Sequence, residues 1–99
     1  MAVKVDINSS TGELTIMFPG RRWEFAHRAI ESLKENPPRG YRMDQSWVRP
    51  RGKSGRRCNV RLTFDYIDSR VPPLAQSGAK AYFEPYALDA QGGDDGRER

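Results

Sequence analysis

From Cys58 to Tyr66 the residues Cys58, Val60, Leu62, Phe64 and Tyr66 alternate without a break with Asn59, Arg61, Thr63 and Asp65. Successive side chains of a strand point to opposite faces, so this run predicts one long strand with an apolar side and a polar side. A strand of that kind sits at or near the centre of a sheet, and its apolar side has to be covered by something else in the chain. The rest of the sequence must therefore supply strands that pair with it and a helix that packs on it.

Two more alternations lie near the N-terminus. Val3, Val5 and Ile7 alternate with Lys4 and Asp6, and Leu14, Ile16 and Phe18 repeat the pattern after Ser9, Ser10, Thr11 and Gly12. Together they predict a β-hairpin, with Gly12 supplying the positive φ that short connections often need. Pro19 and Gly20 then punctuate the chain ahead of a helix, in which Trp23, Ala26, Ile30 and Leu33 form one apolar stripe. Asn36, Pro37 and Pro38 end it. Tyr41 and Met43 alternate with Arg42 and Asp44, after which Gln45 and Ser46 are read as a turn and Trp47 and Val48 as the start of a returning strand. Further on, AYFEPYAL reads as a short edge strand, because Pro85 is excluded from a central one. The expected architecture is α+β, a mostly antiparallel sheet of four to five strands with one helix on one face and the other face open.

At 99 residues the chain has room for one core, assigned to residues 1–88, and the polar segment 89–99 is expected to be a disordered tail. Cys58 is the only cysteine, which excludes an internal disulfide and a cysteine-rich zinc site. It begins the long strand on the apolar side and is read as a small buried hydrophobe. The N-terminal MAVKVDINSS has no apolar run of signal-sequence length, and no stretch approaches the roughly 18 apolar residues of a membrane span. A cytoplasmic protein is expected.

The charge is unevenly placed. Residues 39–61 hold eight arginines and lysines against the single acid Asp44, a local charge of +7 in a chain whose total is +4. The stretch VRPRGKSGRRCNVRL contributes Arg49, Arg51, Lys53, Arg56, Arg57 and Arg61, with residues 48–57 read as an arginine-rich hairpin loop. Lysine and arginine neutralise phosphates and release their counterions, and the planar guanidinium grips phosphate with two parallel hydrogen bonds. The candidate nucleic-acid-binding set is therefore Arg42, Arg49, Arg51, Lys53, Arg56, Arg57 and Arg61. Tyr41 and Trp47 are the candidates for stacking on a base, with Tyr41 the better exposed of the two. The alternative is an interaction or inhibitor protein that docks the same basic hairpin on an acidic protein surface.

No catalytic or cofactor motif is present. His27 and Arg28 with a nearby carboxylate would be the minimal set for a ribonuclease-like activity, but His27 lacks an oriented partner and a nucleophile and is read as a surface residue. Asp44, Asp65 and Asp68 match no carboxylate cage, so no metal site is assigned.

Residues 14–50 show a wider pattern: an apolar strand, a helix, a turn, and then an aromatic and an aspartate shortly before a tryptophan, here Tyr41, Asp44 and Trp47. This order resembles the HARP module of annealing helicases, and the resemblance implies recognition of DNA structure. The helicase motor that accompanies that module is not within these 99 residues. In size and charge the chain also resembles the accessory proteins with which bacteriophages bind or inhibit host components.

Overall fold

The N-terminal hairpin forms as its alternation requires, β1 (Lys4–Ile7) pairing antiparallel with β2 (Leu14–Arg22) in the computed structural model. That model describes residues 3–53 and 55–95. The connection is held by Asn8, whose side-chain oxygen accepts from the backbone N–H of Ser10 and Thr11. Gly12 takes φ +82°, and a Cβ there would lie 2.9 Å from Cδ2 of Tyr66, so any other residue is both strained and crowded.

β2 is followed at once by α1 (Trp23–Glu35), then β3 (Tyr41–Arg51), β4 (Arg57–Tyr66) and α2 (Gln76–Asp95). The four strands form one antiparallel sheet in the order β1-β2-β4-β3. The alternating run therefore lies inside the sheet, between β2 and β3. The crossover through α1 sets β2 and β3 parallel on either side of it.

One face carries the core: Leu14, Ile16 and Phe18 from β2 and Cys58, Val60, Leu62 and Phe64 from β4 are buried with Ala26 and Leu33 of α1. α1 packs over β2, β3 and β4, whereas α2 packs over β1 and β2 and touches α1. No described helix is long and apolar enough to cross a membrane.

Three expectations about this architecture are corrected. Tyr41 to Arg51 is one continuous strand with no turn at Gln45 and Ser46. The break in its alternation is instead a bulge, a register shift between Met43 and Gln45. The bulge leaves the N–H of Gln45 to donate to the hydroxyl of Thr63 at 3.2 Å, which accounts for a threonine that is buried on the otherwise open face.

Pro19 and Gly20 do not end β2. They form a second bulge, between Phe18 and Arg21, with Gly20 at φ +66°.

AYFEPYAL is helical, so the sheet has two helices on its face. Ala79, Phe83 and Ala87 recur at four-residue spacing and are all buried, and the ring of Phe83 meets that of Phe64 at 5.3 Å between centroids. Pro85 falls on the exposed side of this helix. α2 extends into the segment expected as a tail, and residues 96–99 lie outside the described residues.

The link between β4 and α2 is fastened by two tyrosines. Tyr66 donates its hydroxyl proton to the carbonyl of Val71, and the hydroxyl of Tyr41 accepts from the N–H of Leu74 at 2.9 Å. Gln76 then donates to the carbonyl of Val5 at 2.7 Å and anchors the start of α2 on β1.

Cys58 is fully buried, as its place in the alternation requires. Thiol reagents are expected to modify it at least about 100-fold more slowly in the native protein than in denaturant, since access needs an opening of the sheet core. Equal rates in the two states contradict that burial.

Candidate functional site

Among the described residues, no element covers the sheet face opposite the helices. Residues that pair across antiparallel strands share a face, so the register fixes what this surface carries. One row crosses the whole sheet as Lys4, Met17, Arg61 and Trp47. The next rows toward the β3–β4 turn hold Asn59 with Arg49, and then Arg22, Arg57 and Arg51 side by side on three strands. In the other direction lie Asp6, Thr15, Thr63 and Gln45, and beyond them Arg42 opposite Asp65.

The face is therefore polarised. At the Arg42 end the carboxylates of Glu13, Asp44 and Asp65 lie within 4.8 Å of one another. The opposite end carries the arginines. In its middle Trp47 and Met17 are exposed at 37% and 36%, and the guanidinium carbon of Arg61 sits 5.2 Å from the centre of the indole ring.

The basic end is built around the bulge at Gly20. The N–H of Gly20 donates to Oδ1 of Asn59 at 3.0 Å, and Nη1 of Arg57 donates to its carbonyl at 2.7 Å. A Cβ on Gly20 would come within 2.8 Å of Nη1 of Arg51, so the arginine lies directly over the glycine. The β3–β4 turn is tied to the helix by Trp23, whose Nε1 donates to the carbonyl of Gly55 at 2.7 Å. Of the arginines, Arg57 is thereby hydrogen-bonded to backbone at the bulge.

Two concavities open on this end. One of about 340 Å³ is lined by Met17, Trp47, Arg49, Asn59, Val60 and Arg61. The other, of about 430 Å³, lies at the start of α1 between Arg22, Glu24, Arg56 and Arg57.

The predicted site residues divide accordingly. Arg49, Arg51, Arg57 and Arg61 are brought together, but on the strands and not in a projecting loop, because β3 runs to Arg51 and β4 starts at Arg57. Only Lys53 and Arg56 belong to the turn, and both are exposed.

Arg42 is separated from the cluster: it lies seven residues from Arg49 along β3, roughly 20 Å, and at the acidic end. Tyr41 is corrected as a stacking residue, being 3% exposed, ring-packed on Tyr66 and hydrogen-bonded to Leu74. Trp47 takes the exposed position instead. Met17, Asn59 and Arg22 were not anticipated as site residues. Met17 carried a signal in retrospect, as an apolar residue at a polar position of the β2 alternation. His27 is exposed on α1, its ring 6.1 Å from that of Trp23.

Compared with models of protein families, with curated proteins and with solved structures, the chain matches none.

Proposed function

We propose that this protein is a non-enzymatic nucleic-acid-binding module whose open sheet face, more than its hairpin turn, is the binding surface. The observation that carries the reading is the meeting of an exposed tryptophan with a row of arginines on one uncovered face. Arg22, Arg57 and Arg51 stand next to one another across three strands. A polyanion lying along the row gains the counterion release that drives phosphate binding. The acidic opposite end repels phosphate and confines the ligand to the half of the face around Trp47. The resemblance of residues 14–50 to the HARP module points in the same direction.

An acidic protein surface is the competing partner, as for a phage-type accessory or inhibitor protein. Capture on the immobilised protein separates the two, with and without nuclease. Nucleic acid recovered from untreated lysate, and co-captured proteins lost on nuclease treatment, is the expected result. A protein partner retained after nuclease, with no nucleic acid in the untreated sample, overturns the proposal.

A further inference from the structure

We infer that the concavity beside Trp47 receives an unpaired base, so that the face selects single strands over duplex. This rests on the nucleic-acid reading above and narrows its ligand. The concavity of about 340 Å³ falls near the lower end of the roughly 300 to 1,000 Å³ usual for small-ligand pockets, which suits one nucleotide unit better than a duplex groove.

Its lining divides by chemistry. Trp47 and Met17 supply apolar surface for the flat face of a base, and Arg49 and Arg61 supply cations at its margin. A base in a duplex has both faces occupied by its neighbours and gains nothing from an indole, whereas an unstacked base gains a whole contact.

Asn59 adds a polar contact in the same concavity. Its Oδ1 is occupied by the N–H of Gly20 at 3.0 Å, which fixes the orientation of the amide and leaves Nδ2 as the donor for a carbonyl on the base edge. The rows of the face also provide a track. Trp47, Arg49 and Arg51 share the open side of β3 at steps of two residues, about 7 Å each, so a strand leaving the base site meets Arg49 and then the Arg22, Arg57 and Arg51 row. Single-stranded DNA and RNA present the same base faces and phosphates, and both are ligands of this site.

The test is fluorescence anisotropy with one short mixed-sequence oligonucleotide, as DNA and as RNA, offered single-stranded and as a blunt duplex at one salt concentration. The wild-type protein is expected to bind the single strand about 5- to 150-fold more tightly than the duplex, the range for one stacked base. Trp47→Ala is expected to lose single-strand affinity several-fold more than duplex affinity and so to abolish that preference, and Trp47→Phe to retain most of it. Equal wild-type affinity for single strand and duplex, or an equal loss for both in Trp47→Ala, overturns the single-strand inference alone. Absence of binding to either form overturns the nucleic-acid reading and this inference with it. Trp47 lies on the uncovered face, outside the core cluster, so the variants keep the fold.

Discussion

Replacing Phe83 with alanine is expected to destabilise the protein by about 3 to 5 kcal/mol, the usual cost of removing a large, fully buried aromatic ring. Phe83 is 0% exposed and is the largest apolar side chain that α2 places in the core, against Phe64 and beside Tyr82. For a domain of this size each kcal/mol lowers the melting temperature by about 4 to 8 °C, so a fall of at least about 12 °C is predicted. A double-mutant cycle with Phe64→Ala should return a coupling of about 0.5 to 1.5 kcal/mol for the aromatic pair. If α2 did not dock on the sheet, Phe83→Ala would leave the melting temperature nearly unchanged and the coupling would vanish.

The paired substitution Arg49→Glu and Arg61→Glu is expected to leave stability nearly unchanged, since both side chains are exposed on the open face. It removes two phosphate contacts and installs two repulsive charges at the margins of the base site. Nucleic-acid affinity should fall at least about 10-fold, and the slope of log K against log salt should lose about 1.4, at about 0.7 per contact to a single strand. Arg42→Glu serves as the control. Arg42 lies opposite Asp65 at the acidic end, so its reversal should change affinity much less. Equal losses from Arg42→Glu and from the pair would mean that the ligand senses net charge and not the polarised face.

The comparison of Tyr41 with Trp47 shows where the sequence was legible and where it was not. The two residues are six apart, so an unbroken alternation would put both on one face. Asp44 is the extra residue of a bulge, and it reverses the phase of the strand between them. Tyr41 thereby turns into the core and Trp47 onto the open face, the opposite of the expected ranking. The irregularity at Gln45 and Ser46 was visible in the sequence. A turn and a bulge both interrupt a period-two pattern, however, and only the pairing with β4 distinguishes them.

Periodicity was otherwise a good guide where large apolar residues carried it. The first hairpin, α1 and β4 were all legible, and so was the inward position of Cys58. α2 was missed because its buried stripe is Ala79, Phe83 and Ala87, two small residues around one large one, with Pro85 arguing against any regular interior. At the site, the excess of arginine could be counted from the chain. Its placement could not, because the Arg22, Arg57 and Arg51 row depends on register between strands that are distant in sequence. The reading of residues 48–57 as a loop failed for a related reason: polar residues on the solvent side of a strand look like loop residues until a partner strand is known.

If the arginine-bearing sheet face binds a nucleic-acid backbone, single-strand affinity of the wild-type protein must depend steeply on salt. With roughly five phosphate contacts from the basic end, log K should fall with log salt at a slope of about −3.5, or about 100-fold between 50 and 200 mM. A slope near zero, or no measurable binding at the lower salt, contradicts backbone binding by this face.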